Sequence, residues 1–368
     1  MKILILYTDL RIGGVERFII DLAQELAKVG QEVILATHWT EKIDELKVQN
    51  NEVPLFRRVS FGKEKGGFSL KLMFKIMRFI WREKPDVVHT NLLSLFYVCP
   101  SILLDVRNRI TFCHTVHSMA DKEWPTPWFR LTQYLYQKKV KVVAISQQVC
   151  FSLYQRYKSL SPFLVHNGCI LDVCGREPEL ERQLTNLKNS HEGCKVFLHI
   201  GNISRNKNQV MLAKVASQLL NDGNNLVVAF LGREDDHQYA EELKSFCGES
   251  IRYLGYCRHV QPLLRLSDFF VLCSGYEGMP ISLIEAIGNG CVPVCTPAGG
   301  VPSGCINRFN GVLAEDNTEE GLYRIMKDAL EMPQESYSRY REASLKLFRE
   351  RFSMEACVSA YEELYRKR

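Results

Sequence analysis

Phe269–Glu285, FFVLCSGYEGMPISLIE, holds the strongest local signal in the chain. The aromatic and β-branched run Phe269–Cys273 has the length and composition of a buried strand. Gly275 and Gly278 interrupt it, Pro280 suits a first helical turn, and Gly288 and Gly290 suit the helix end. A strand, a tight loop and a helix follow one another. At such a helix start the backbone N–H groups around Met279–Leu283 lack intrahelical partners, and the positive end of the helix dipole faces whatever lies above the strands. A pyrophosphate fits there. Glu277 precedes the helix and Glu285 lies about one turn inside it. Carboxylates beside an anion site are repelled by it unless they accept hydrogen bonds from sugar hydroxyls, each worth about 1.5–3 kcal/mol. On chemistry alone, complementing the helix dipole is an equally good account of both glutamates.

Outward from this stretch, apolar β-branched runs alternate with helical periods. Expected strands are Lys2–Tyr7, Glu32–Thr37, Asp86–His89, Arg109–Val116 and Val140–Ile145, then Lys195–Ile200, Asn225–Leu231, Ile251–Leu254, Phe269–Cys273 and Val292–Thr296. Segments such as Gly14–Val29 and Tyr239–Cys247 between them read as amphipathic helices, and after Asn317 the chain reads as helical to its end. The rhythm implies parallel sheets covered on both faces. It breaks in the polar segment 169–193, and 368 residues exceed one ordinary core. The expectation is an α/β protein of two Rossmann-like domains, 1–168 and 194–352, joined by a linker at 169–193. Ligands bind such domains at the carboxyl ends of their strands.

With 46% hydrophobic and 24% charged residues the chain is globular and not disordered. No signal peptide and no transmembrane span are expected, because no apolar run reaches the required length. The 13 cysteines are scattered without a Cys-x-x-Cys, as expected of free thiols in a reducing cytoplasm. Of the 47 Lys and Arg and 42 Asp and Glu, residues 1–168 hold 24 and 15, and the remainder 23 and 27. A basic first half suits an anionic partner, a phosphate-bearing acceptor or an acidic membrane surface, and equally a solvated basic face. No nucleic-acid partner is expected.

Two glutamates with seven residues between them, the first in Glu277-Gly278-Met279-Pro280, resemble the signature of family 4 of the nucleotide-sugar glycosyltransferases with the GT-B fold. The resemblance runs along nearly the whole chain: Gly13-Gly14-Val15-Glu16 after the first strand, KPDVVH at 84–89, VAIS at 143–146, VHNG at 165–168 and the ending Phe352–Tyr365. It implies two Rossmann-like domains facing a central cleft, with the helix over 353–368 packing back on the first domain. It further implies that Glu285 binds the ribose, that Glu277 contacts the transferred sugar, and that Gly278, Met279, Pro280, Ser282 and Leu283 surround the donor. Gly14 and Lys207 fall to the donor phosphates, and Gly255 and Tyr256 to the loop that cradles the base. His117 falls near the reaction centre, so the catalytic set it implies is His117, Glu277 and Lys207. A strand-end histidine is also a common structural hydrogen-bonder, and His114 is read as core. The sequence departs from the family at Asn202, where an arginine on the pyrophosphate is usual, and at Ser303, where a glutamate is usual. Arg205 is the nearest replacement for the missing charge.

The implied reaction moves a sugar from a nucleotide-sugar donor to a saccharide or lipid-linked saccharide acceptor in cell-surface polysaccharide synthesis. UDP is the expected carrier and retention the expected stereochemistry, both on resemblance alone. No Asp-x-Asp and no paired ligand cluster stands out, so metal-independent transfer without a cofactor is expected. The loops over 39–67 and 118–126, which would set acceptor choice, match no motif. Phe68–Lys84 interleaves apolar residues with Lys71, Lys75, Arg78, Arg82 and Lys84. It reads either as a helix packed on a sheet with a basic outer face or as an interfacial helix on an anionic membrane, which would place the protein in the cytoplasm, peripheral to the plasma membrane. A dehydrogenase is excluded, because the first βα turn lacks Gly-x-Gly-x-x-Gly. A same-fold epimerase or phosphorylase, or a non-catalytic sugar-nucleotide-binding subunit, remains as the alternative.

Overall fold

The computed structural model describes residues 1–8, 13–39, 53–63, 67–123, 129–158, 160–172 and 175–367. The two loops without a motif lie partly outside these residues. The chain divides into two compact units, Met1–Ile170 with Met354–Arg368, and Leu171–Ser353.

The first unit holds strands β1 (Lys2–Tyr7), β2 (Glu32–Trp39), β3 (Arg57–Lys63), β4 (Val87–Asn91), β5 (Thr111–Val116), β6 (Val140–Ala144) and β7 (Phe163–Leu164). They form one parallel sheet in the order β3-β2-β1-β4-β5-β6-β7. β1 is the hinge of this order. Ile3, Leu4, Ile5 and Leu6 are fully buried, as a strand covered by helices on both faces requires. β3 was not expected, because RRVSFGK lies at the sheet edge, where only Phe61 is buried.

The second unit holds β8 (Lys195–Ile200), β9 (Leu226–Leu231), β10 (Ile251–Tyr253), β11 (Phe269–Leu272), β12 (Val292–Cys295) and β13 (Val312–Leu313). They form a second parallel sheet, β10-β9-β8-β11-β12-β13. Its core joins Phe197, Phe230, Phe269, Val271 and Val294 to Leu212, Val215 and Ala216 of the helix Gln209–Asn221. Residues 169–193, read as a linker, carry the helix Pro178–Asn189, and from Leu171 onward they belong to this unit. The Asp172 carboxylate lies 2.8 Å from His259 Nδ1, and the Glu177 carboxylate accepts the N–H groups of Arg258 and His259 at 3.0 Å each.

The final helix, Met354–Arg366, belongs to the first unit. Met354, Cys357, Val358, Tyr361, Leu364 and Tyr365 are its buried face. A buried polar chain fastens it to the sheet. Tyr365 OH lies 2.7 Å from His89 Nδ1, His89 Nε2 lies 2.7 Å from Thr115 Oγ1, and Thr115 Oγ1 lies 2.8 Å from Tyr361 OH. Burial depresses His89 to a pKa of about 3, so the ring stays neutral and bonds at both nitrogens.

The helix Leu70–Glu83 starts at Ser69, whose Oγ accepts the Leu72 N–H at 3.2 Å. It buries Leu72, Ile76, Phe79 and Ile80, while Leu70, Phe74 and Trp81 are exposed on the far side. No helix among the described residues is long and apolar enough to cross a membrane.

Candidate active site

In each sheet the strand order reverses once, between β1 and β4 in the first unit and between β8 and β11 in the second. Open α/β sheets bind ligands outside the carboxyl ends of the strands at such a reversal. The predicted residues divide between the two edges, with Gly14 and His117 on the first unit and the rest on the second.

After β8 the chain makes a short turn, Arg205–Lys207, and passes through Asn208 in the left-handed region (φ 61°) into the next helix. Asn206 ties this turn to the loop after β11. Its carbonyl accepts the Gly275 N–H at 2.7 Å, its Oδ1 accepts the Tyr276 N–H at 3.2 Å, and its Nδ2 donates to Tyr276 O at 3.2 Å. Sequence reading missed Asn206, since nothing in RNKN announces a partner 70 residues away. The staple brings Lys207 Nζ to 2.5 Å from Glu277 Oε1, with the two side chains only 22% and 11% exposed. Beneath them His199 Nδ1–H donates to Val271 O at 3.0 Å, while its Nε2 has no partner among the described residues. Burial, helped by the Lys207 charge, lowers His199 to about 4 and keeps it neutral.

Glu277 is set by its backbone as well. Its carbonyl accepts the Gly300 N–H at 3.1 Å, and Gly299 turns over it with φ +51°, where a Cβ would sit 1.8 Å from that oxygen. Only glycine fits there. The helix then runs Ile281–Gly288, with Pro280 as its extended cap residue and not inside the first turn. The Leu283 and Ile284 N–H groups donate to Pro280 O, whereas those of Ile281 and Ser282 have no partner among the described residues. The Met279 and Leu283 side chains are buried, so both residues offer only backbone to a ligand, while Ser282 and Glu285 are half-buried. Two free N–H groups at the positive helix end, one ammonium and one carboxylate make a site for an anion bearing hydroxyl groups.

Beyond β8, the loops after β9 and β10 continue the edge. Gly232 N–H donates to Gly255 O at 2.9 Å, and Tyr256 is exposed. Arg205, expected beside the phosphates, turns elsewhere. Its Nε lies 3.3 Å from Asp236 Oδ2 and its guanidinium 5.4 Å from the Tyr239 ring, at the start of the helix His237–Lys244. Asn202 donates to Asp235 Oδ2 at 2.9 Å. Glu234, His237 and Glu241 offer ligand atoms within 4.8 Å of one another, a grouping the sequence reading did not find. Lys244 Nζ already bridges Glu234 and Glu241 at 2.8 Å each, so one of the two negative charges is offset by an ammonium.

On the first unit, Gly14 opens the helix Gly14–Lys28 after β1, and Phe18 of that helix packs edge-on to His117 at 6.2 Å. His117 Nε2 lies 2.8 Å from Asn91 Oδ1, while Asn91 Nδ2 donates to Leu6 O at 3.4 Å. The amide orientation therefore puts the His117 proton on Nε2 and leaves Nδ1 as an acceptor without a partner among the described residues. Burial lowers the ring to about 3. His114 is fully buried against Thr90.

Two family descriptions account for the chain in succession. "Glycosyltransferase Family 4" matches residues 12–173 and "Glycosyl transferases group 1" matches residues 170–347. The chain belongs to glycosyltransferase family 4. This glycosyltransferase is 25% identical over 299 residues to a Campylobacter jejuni GalNAc-alpha-(1->4)-GalNAc-alpha-(1->3)-diNAcBac-PP-undecaprenol alpha-1,4-N-acetyl-D-galactosaminyltransferase, covering 78% of this chain and 77% of the relative. It is 24% identical to an Escherichia coli UDP-Gal:alpha-D-GlcNAc-diphosphoundecaprenol alpha-1,3-galactosyltransferase, covering 74% and 73%. In fold it matches a glycosyltransferase from Rickettsia africae at TM-score 0.83 and 19% identity, covering 100% and 98%. It also matches Anabaena Alr3699/HepE in complex with UDP at TM-score 0.80 and 17% identity, covering 99% of each chain. Its fold is GT-B, and it is a nucleotide-sugar glycosyltransferase.

Proposed function

We propose that this glycosyltransferase moves a sugar from a UDP-sugar to a saccharide carried on a lipid diphosphate, with retention and without a metal ion, during assembly of a cell-surface polysaccharide. The observation that carries this reading is the Lys207–Glu277 pair near the N–H groups of Ile281 and Ser282, which have no partner among the described residues. When the bond between the sugar's anomeric carbon and the phosphate oxygen breaks, negative charge appears on the diphosphate. Lys207 and the helix start stabilise that charge where it develops, the kind of contribution that is commonly the largest in transfer chemistry. Glu277 orients the donor sugar, Glu285 the ribose, Gly255 and Tyr256 the base, and Gly14 a donor phosphate. The acceptor hydroxyl gives its proton to the departing phosphate oxygen as its own oxygen bonds to the anomeric carbon. His117, neutral and with a buried Nδ1 that has no partner among the described residues, is assigned to a sugar hydroxyl. The relatives that act on undecaprenol-linked saccharides support the acceptor class, and the HepE complex with UDP supports the carrier.

A lipid-linked acceptor places the enzyme at a membrane, and one face of the first unit suits that. Leu70, Phe74 and Trp81 form an exposed apolar stripe on the helix Leu70–Glu83, with Lys71, Arg78 and Arg82 beside it. The stripe adjoins an apolar trough of about 400 Å³ lined by Phe68, Met73, Phe96, Leu103 and Leu104. Apolar insertion flanked by cations is how an amphipathic helix holds an anionic bilayer. Cosedimentation with anionic vesicles, lost in neutral ones and in a Phe74→Ser/Trp81→Ser variant, is the expected result. Equal binding to both vesicle types sinks the membrane part of the reading.

The donor part is tested by calorimetric titration of UDP and GDP in the presence of a chelator. Saturable binding of UDP that Glu285→Ala weakens supports the reading. No binding of either nucleotide at millimolar concentration overturns it.

A further inference from the structure

The departure at Asn202 removes one positive charge from a site that must hold a diphosphate, and Arg205 does not restore it. Another arginine reaches the same edge. Gly232 packs its backbone against Gly201, where a Cβ would lie 2.0 Å from the Gly201 carbonyl oxygen, and its φ of +158° also favours glycine. The next residue is Arg233, whose carbonyl accepts the Ile203 N–H at 2.7 Å. The β9 loop is thus clamped against the loop that carries Asn202, and Arg233 stands beside the vacated position.

The three carboxylates that follow Arg233 are all engaged elsewhere. Glu234 pairs with Lys244 at 2.8 Å, Asp235 accepts from Asn202 at 2.9 Å, and Asp236 faces Arg205 at 3.3 Å. The Arg233 guanidinium itself has no hydrogen-bond or ion-pair partner among the described residues. The guanidinium carbon lies 4.3 Å from the centroid of the Tyr256 ring. A cation stacked on an aromatic face keeps its in-plane N–H donors free. Along the edge the order runs Tyr256 after β10, Arg233 after β9, Lys207 after β8 and Glu277 after β11. At about 4.8 Å per strand this is a row of roughly 14 Å, on the scale of a nucleoside diphosphate laid across the strand ends.

We infer that Arg233 is the second cation of the donor site, its guanidinium bonding a phosphate oxygen of the nucleoside diphosphate from the β9 side while Lys207 acts from the β8 side. The inference rests on the donor-site reading above and assigns that site a residue outside the resemblance. The arginine missing at 202 is replaced from a neighbouring strand loop, through a glycine that lets the two loops touch. The Tyr256 ring, 4.3 Å from the guanidinium carbon, narrows the range over which that side chain swings.

The test is the affinity ratio of UDP to uridine, and of GDP to guanosine, measured by ligand-observed NMR for the wild-type chain and for Arg233→Ala, Arg233→Lys and Glu285→Ala. A charge-assisted bond to phosphate predicts that Arg233→Ala lowers the diphosphate-to-nucleoside ratio about ten- to a hundredfold. Arg233→Lys recovers part of it, and the melting temperature stays put, since the side chain is half-exposed and carries no structural ion pair. An unchanged ratio overturns the inference, whether both ligands weaken together, as for a base platform, or neither does. If Glu285→Ala weakens UDP while Arg233→Ala leaves the ratio alone, the donor site stands and only the arginine's role is lost. If the wild-type chain binds no nucleotide, the donor-site reading falls and takes this inference with it.

Discussion

Lys207 and Glu277 pair across 2.5 Å with little of either side chain exposed, so truncating one strands the charge of the other. Lys207→Ala leaves a half-buried carboxylate unpaired and is expected to lower stability by about 1–3 kcal/mol as well as transfer. Glu277→Gln keeps a hydrogen-bond acceptor for Lys207 and should fold normally, with kcat/KM down roughly 10²–10³-fold. Urea unfolding beside a transfer assay separates the two outcomes. His117 behaves differently. Because burial holds it near 3, it does not titrate between pH 5 and 8. His117→Ala should therefore lower kcat without moving either limb of the pH–rate profile, and a limb that disappears in the variant would show the ring to be a proton carrier. The two glutamates and Lys207 could be named from the sequence only through the family resemblance, whose motifs each sit within one loop or strand end. Asn206 and Arg233 could not be, because what makes them matter is a contact with another strand's loop, and no periodicity records which loops touch.

Central strands announced themselves, whereas at the sheet edges Ile251–Tyr253 was expected but Arg57–Lys63 and Val312–Leu313 were not, for a physical reason. A strand covered on both faces must be apolar throughout, as ILIL at 3–6 and FFVL at 269–272 are. An edge strand such as Arg57–Lys63 is half-solvated and carries three cations in seven residues, which reads as a loop. The polar stretch at 169–193 misled in the same way, since the helix Pro178–Asn189 buries only Leu184. Turn geometry gives the sharpest expectation at this level. Gly299→Ala must push a methyl into the Glu277 carbonyl or unwind the turn. Activity should fall at least as far as in Glu277→Gln, and the amide signals of residues 277–283 should shift together in an NMR spectrum. Signals unmoved there would mean the turn has room that the geometry denies it.

The first unit buries four histidines, His38, His89, His114 and His117, each held near a pKa of about 3 by desolvation. In the unfolded chain they titrate near 6.5. Their lowered folded values make the neutral form a condition of folding, so stability is fully present above about pH 6.5 and drains as the pH falls toward 3. Each histidine contributes a slope approaching about 1.4 kcal/mol per pH unit. Asp21, lifted to about 6 by burial, works in the opposite direction and offsets part of this below pH 6. Urea melts at pH 7.0, 6.0 and 5.0 should show a steep loss, and a flat profile would mean that the rings are hydrated in solution. The final helix, Met354–Arg366, adds an order in time. A ribosome finishes the whole of Leu171–Ser353 before it makes the piece that caps His89 and Thr115. Until Met354–Arg366 emerges, the first-born half waits with a gap in its sheet covering where Tyr361 and Tyr365 will sit.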